Sequence, residues 1–350
     1  MSPATYKAAI FRGVGKVDVV DMDYPTCGDD EAIVRNVLTG ICGSDIFAFQ
    51  KHGPESRIWI DEEFGHEAIS EVVELGKDVK GLKVGDRVFV NTDKAFRDPR
   101  RVSAAGGFST YSKIPQCEVG YSLLPIDNDL PLRTAVLFEP FVIGTRGVKV
   151  LDPKPGDHAI VFGAGIIGMT SAIMLKWYGC EKVMVVDLSE FRLENARRLG
   201  FLTCNPSTED LQEKAFAEFG KVRGYPAEKC GARLYVDAVG VASVIESFAA
   251  LAPRNGSLSI VGVHKAPVPL NLTAVAFNNW HIHGCGDGAT EDLWPEIVEM
   301  MRSGGFDLPS LVTHEFPVGE INEAIALAAK ADEAQKVCIS FGDAEVAALG

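Results

Sequence analysis

The chain has 350 residues, 47% hydrophobic and 23% charged, which is enough apolar material for sizeable cores and too long for one, so two folded domains are expected. A formal net charge of −14 argues against a nucleic-acid surface or an anionic membrane as partner. Eight dispersed cysteines with no C-x-x-C pair read as a reduced, cytoplasmic chain rather than a disulfide framework.

In chain order, the opening MSPATYKAAIFRG lacks the apolar run of a signal peptide. AAIFRG, KVDVVDM, EAIVRNVLTG, EAISEVVELG and DRVFV follow as β-branched alternations broken by glycine, and they predict short strands. A turn is expected at Lys83 to Asp86, around Gly85. No long helical period occurs before about residue 130, so this region reads as a compact β-barrel-like domain. The middle alternates differently: HAIVF, a glycine turn, an apolar helix, KVMVVDLS, then the helix EFRLENARRLG. ARLYVDAVG, SVIESFAALAP, GSLSIVGV and HIHGCG continue that α/β pattern to about residue 286. DLWPEIVEMMRSGG and INEAIALAAKADEAQ read as amphipathic helices, and KVCISFG as a strand returning to the first domain. The longest uncharged run, Ala159 to Leu175, is short for a membrane span.

Gly163, Gly165 and Gly168 stand in G-x-G-x-x-G spacing between an apolar strand and an apolar helix. Such a turn brings backbone close to a pyrophosphate, with the N–H groups of Ile166, Ile167 and Gly168 at the start of the helix facing the phosphates. Asp187, 19 residues beyond Gly168, ends the next strand, where a carboxylate accepts from ribose hydroxyls and repels a 2′-phosphate. NAD is therefore favoured over NADP. Arg192 is placed to stack on adenine or to neutralise a phosphate. Val239, Gly240 and Val263, at later strand ends, are candidate neighbours of the ribose and nicotinamide. A dinucleotide-type domain that binds no nucleotide is the alternative.

Three glutamates, Glu62, Glu63 and Glu67, surround His66 in EEFGHEA. A divalent cation makes such a carboxylate-rich pocket favourable around a neutral imidazole. Cys42, in GICGSD, adds a thiolate, and zinc is the metal that most often takes both. Glu67 or Glu139, the latter in LFEPFVIG, would be the third ligand, leaving one position open as in catalytic sites. Each residue also has a structural reading: a buried thiol, a hydrogen-bonded histidine, a glutamate capping a helix or pairing with Arg146.

In this order, C-G-S-D, G-H-E, E-P, G-x-G-x-x-G and a strand-end Asp resemble the zinc-dependent medium-chain dehydrogenases, most of all the sorbitol, threonine and butanediol branch. The resemblance covers nearly the whole chain. It implies an α/β protein with a GroES-like β-barrel catalytic domain over 1–142, completed by 288–350. A Rossmann doubly wound parallel sheet would occupy 143–287, with the active site in the cleft between the domains. It further implies zinc ligation by Cys42 and His66 with Glu67 or Glu139. Ser44 would take the substrate proton, the metal would lower the pKa of the substrate hydroxyl, and hydride would pass to NAD. The substrate would be a secondary alcohol or polyol, and the protein a homodimer or homotetramer.

Two departures stand out. NTDKAFRDPRRVSAAGGFSTY, where relatives carry a four-cysteine structural zinc lobe, has no cysteine, so one zinc per chain is expected. Its basic run, Lys94 to Arg101, is read as a solvated loop, with Arg97, Arg100 and Arg101 as candidates for an anionic, for instance phosphorylated, substrate as the alternative. Phe47 stands where the family often has a proton-relaying histidine, and His52, five residues on, is the candidate substitute. Phe47, Trp59 and Phe141 are candidate pocket walls. His281, His283 and Cys285 look metal-like in composition but alternate along an edge strand. A zinc-free quinone or enoyl reductase of the same fold, or a non-catalytic NAD-binding protein, are the competing readings.

Overall fold

The computed structural model describes residues 3–53, 56–92, 94, 106–285 and 288–342. Two compact units result: Met1–Glu139 with Ala289–Gly304 and Leu308–Gly350, and Pro140–Gly288 with Gly305–Asp307. Arg97, Arg100 and Arg101 lie outside the described residues.

The chain starts with β1 (Thr5–Gly13), β2 (Lys16–Asp23), β3 (Ala32–Gly40), α1 (Gly43–Gln50), β4 (Glu62–Glu63), β5 (Glu67–Leu75), β6 (Arg87–Val90), β7 (Tyr111–Ile114) and β8 (Leu123–Pro125). The short α2 (Leu132–Ala135) and then α3 (Phe138–Lys149) follow. The dinucleotide-type region holds β9 (His158–Phe162), α4 (Ile166–Trp177), β10 (Lys182–Val186), α5 (Glu190–Arg198), β11 (Leu202–Cys204) and α6 (Leu211–Phe219). After a small hairpin of β12 (Lys221–Val222) and β13 (Lys229–Cys230) come β14 (Leu234–Asp237), α7 (Ala242–Leu251), β15 (Ser257–Ile260), α8 (Leu272–Asn278) and β16 (His281–Gly284). The chain ends through α9 (Thr290–Arg302), β17 (Val312–Pro317), α10 (Ile321–Ala328) and β18 (Lys336–Ser340).

In the first unit one sheet runs β17-β18-β3-β5-β6-β8, with β7 also on β3, and a second runs β2-β1-β4. Apart from the parallel β17–β18 pair these are antiparallel, and β18 docks on β3 with Cys338 opposite Gly40. The returning strand thus forms as the sequence implies. Phe11, Phe64, Phe108 and Ile339 share one buried cluster of this unit. α9 buries Leu293, Ile297, Met300 and Met301, the i, i+4, i+7, i+8 stripe of an amphipathic helix. One expectation needs correction: Cys42 sits not on a loop but at the N-cap of α1. The helix is short, and IFAF offers no polar face to betray it. Asp45 starts it, its Oδ2 accepting from the Cys42 N–H at 2.8 Å.

In the second unit six parallel strands run β11-β10-β9-β14-β15-β16. This is the 3-2-1-4-5-6 order of a dinucleotide-binding sheet, whose switch point lies between β9 and β14. β14 is buried at every position, as a strand covered on both faces must be, which is why its sequence reads LYVD rather than alternating. No helix among the described residues is long and apolar enough to cross a membrane.

Candidate active site

The end of β3 and the start of β5 are register partners, Gly40 opposite Glu67. This pairing carries the segment after β3, with Cys42, to the segment before β5, with His66. Gly65, just before His66, has a φ of +92°, and a Cβ there would lie 2.7 Å from the Phe108 ring, so the segment passes this ring only with glycine. Cys42, His66 and Glu67 each offer a ligand atom, and these atoms lie within 4.8 Å of one another. Among the described residues they are the one such group found.

Two buried charges, Asp45 and Lys336, frame the group. Asp45 is fully buried; burial raises its pKa, countered in part by His66 and the Cys42 N–H, leaving it at about 6. Its Oδ1 accepts no hydrogen bond and lies 4.0 Å from His66 Nδ1, close enough to act on the imidazole through its charge. Burial alone would lower the His66 pKa, but Cys42, Asp45 and Glu139 together hold it well above the ordinary value. A metal must displace that proton, so its affinity falls with pH. Glu67, 2% exposed, is ion-paired to Lys336, which also donates to the Ile41 carbonyl at 2.9 Å. Burial would lower the Lys336 pKa; Glu67 and Cys42 raise it above the usual lysine value. The sequence reading missed both Asp45 and Lys336. The aspartate was visible as the fourth letter of C-G-S-D, but nothing local marks Lys336, 269 residues from its partner.

A thiol, an imidazole and a carboxylate converging beside an orphaned carboxylate oxygen are a donor set suited to zinc with a position left open. Glu139 stands outside the three-atom group, half-buried in the first turn of α3, and acts on His66 through its charge. Ser44 and Phe47 are half-buried on α1. His52 packs on Phe11, and its Nε2 lies 2.9 Å from the Ile58 carbonyl, tying those two residues together. Trp59 is largely exposed, whereas Phe141 is fully buried in α3. Lys94 is buried against Glu291 and over the Tyr121 ring. His281 and His283 stack at 6.4 Å on β16, an edge strand, and neither belongs to the metal-type group.

In the second unit Gly165 is the N-cap of α4, so the free N–H groups of Ile166, Ile167 and Gly168 point out of the helix start. A methyl group on Gly168 would collide with the Gly163 carbonyl, the close helix–strand packing for which the third glycine is needed. Asp187 follows β10. Its Oδ2 accepts from the Ala164 N–H at 2.6 Å and its Oδ1 from the Ser189 N–H at 2.8 Å, so it braces the turn it borders. Arg192 lies near that turn, 3.7 Å from the position a Cβ on Gly165 would take. Val239 and Val263 are exposed at the ends of β14 and β15, with Gly240 between them in contact with Val263.

A family model described as an alcohol dehydrogenase GroES-like domain matches residues 28–122, and one described as a zinc-binding dehydrogenase matches 167–303. The L-threonine 3-dehydrogenase of Caldanaerobacter subterraneus subsp. tengcongensis is 29% identical over 333 residues, 89% of this chain and 92% of that protein. Among solved structures, the 2R,3R-butanediol dehydrogenase of Bacillus subtilis superposes with a TM-score of 0.82 at 23% identity, over 96% of this chain and 100% of that one. An alcohol dehydrogenase of Escherichia coli CFT073, complexed with NADH, gives 0.81 at 25% identity, over 97% and 100%. The chain belongs to the zinc-dependent medium-chain dehydrogenases, with a GroES-like domain and a Rossmann domain. It is accordingly an oxidoreductase of the alcohol and polyol dehydrogenase type, built for zinc and a nicotinamide cofactor.

Proposed function

We propose that the protein oxidises a secondary alcohol or polyol to its ketone, reversibly, with NAD and one zinc per chain. The observation that carries this is the convergence of Cys42, His66 and Glu67 on one point. The L-threonine 3-dehydrogenases to which the chain is similar are named for a hydroxyl-bearing substrate, which supports the substrate class. The catalytic domain would comprise 1–142 and 288–350, and the NAD domain 143–287.

Cys42 and His66 hold the metal, with Glu67 as third ligand and Glu139 as the carboxylate that balances its charge. Bound there, zinc would supply a Lewis acid to lower the pKa of the substrate hydroxyl, and a nicotinamide cofactor would supply the hydride acceptor. Ser44 accepts the hydroxyl proton. Asp45 holds the start of α1 through the Cys42 N–H and sets a buried carboxylate beside the imidazole. His52, committed to the Ile58 carbonyl, holds its segment against Phe11, with proton relay as its alternative role. Lys94 is committed to Glu291, so it adds no free cation for an anionic substrate.

Elemental analysis of protein purified without added metal, with a screen of polyols and secondary alcohols, tests this reading. About one zinc per chain with NAD-dependent turnover is expected; a folded, active, zinc-free enzyme would overturn it. NAD over NADP rests on Asp187. Asp187→Gly with Leu188→Arg, the latter at a largely exposed position, should raise the NADP to NAD ratio of kcat/KM by roughly a hundredfold. An unchanged ratio would remove Asp187 from the ribose site. Homodimers or homotetramers fit the open edge of β16 and exposed Phe277 and Ile282 nearby in sequence, and a cytoplasmic setting fits eight free thiols.

A further inference from the structure

The ends of β14 and β15 are tied together by one carboxylate. Asp237 closes β14 and is fully buried. Its Oδ1 accepts from the Val239 and Gly240 N–H groups at 2.9 and 2.8 Å. Its main-chain carbonyl accepts from Val261 and Gly262 at 2.9 and 2.7 Å. Its remaining oxygen, Oδ2, lies 2.7 Å from His264 Nε2. One residue thus gathers the segment after β14 and the segment after β15, and the imidazole is its side-chain link to the second.

These two segments pack with almost no space between them. A Cβ on Gly240 would come within 2.7 Å of the Val263 backbone, and one on Gly163 within 2.9 Å of Val239. The contact therefore runs from the glycine turn through Val239 and Gly240 to Val263. The crest of this ridge is apolar and open: Val263 is 79% exposed and Val239 46%. In a doubly wound sheet the ligand lies outside the carboxyl ends of the strands, at the switch point. The β9–β10 half, with Asp187, takes the adenosine end of a dinucleotide. The β14–β15 half is left for the nicotinamide end.

We infer that His264 is a positioning residue for the nicotinamide half of the cofactor, holding the Val263 segment against Gly240 through its hydrogen bond to Asp237. The inference rests on the NAD reading above. Without the imidazole, Oδ2 of a fully buried carboxylate loses its donor, and the segment after β15 keeps only main-chain ties to β14. The glycine turn and Asp187, on the other half of the sheet, keep all their bonds.

The test is titration of the zinc-loaded enzyme and its His264→Ala and His264→Gln variants with NADH and with ADP-ribose, which lacks the nicotinamide. His264→Ala should weaken NADH by about tenfold and leave ADP-ribose within about twofold. His264→Gln, whose amide N–H can reach Oδ2, should restore most of the NADH affinity. In turnover, the KM for NAD should rise more than kcat falls. Equal losses for both ligands, or no loss for either, would overturn the inference while leaving the NAD reading intact. Failure of the unsubstituted protein to bind NADH would overturn both.

Discussion

Cys42→Ser should cut turnover by about a thousandfold or more and empty the metal site, with NADH binding unchanged. Serine is a better N-cap than cysteine, so α1, whose Asp45 already accepts from the residue-42 N–H, keeps its start. What disappears is chemical. A hydroxyl does not ionise near neutral pH and is a poor zinc ligand, whereas the thiolate is a strong one. The barrier then rises by the several kcal/mol that a Lewis acid contributes, and each 1.4 kcal/mol is a factor of ten. NADH affinity should survive because the glycine turn, Asp187 and the parallel sheet belong to the other compact unit. Elemental analysis together with an NADH titration separates the two effects. Retained zinc and near-normal rates would refute the metal assignment.

Lys336→Met should be the most destabilising single change near the site. Lys336 and Glu67 are both almost wholly buried and ion-paired, and the lysine also satisfies the Ile41 carbonyl. In the metal-free protein methionine fills a similar volume but leaves the Glu67 carboxylate buried without its counter-ion, at a cost of about 3–5 kcal/mol. Glu67→Gln added to Lys336→Met should recover about half of it, the unpaired Ile41 carbonyl accounting for much of the remainder. Denaturant unfolding of both variants measures this. A loss below about 1 kcal/mol for the single variant would show that the pair contributes little and that the site's charge is balanced elsewhere.

Lys336 also shows where sequence reading stops. Its segment, KVCISFG, was legible as a closing strand because β-branched and apolar residues at a chain end have few other fates. Which strand it would join, and in what register, was not. Only the pairing of β18 with β3, and of β3 with β5, brings residue 336 beside residue 67. The same pairing decides which glutamate accompanies Cys42 and His66. Glu67 and Glu139 were equivalent as letters, but Glu67 alone of the two enters the cluster of donor atoms. Helix α1 was hidden for a different reason: a helix of two turns carries too little periodicity to read, and its start depends on a capping hydrogen bond.

What the sequence determined by itself is whatever local backbone demands can encode. Three glycines at fixed spacing, an apolar strand before them and a carboxylate at the next strand end specify a dinucleotide turn, because a β-carbon at Gly168 has no room. A cysteine and a histidine, each beside a glycine in C-G-S-D and G-H-E, mark a candidate metal-type pocket. The charges that surround that pocket, and the Asp237–His264 link across two strand ends, were decided only by tertiary structure. Their partners lie tens to hundreds of residues apart, so their worth depends on burial and register, which no window of sequence contains.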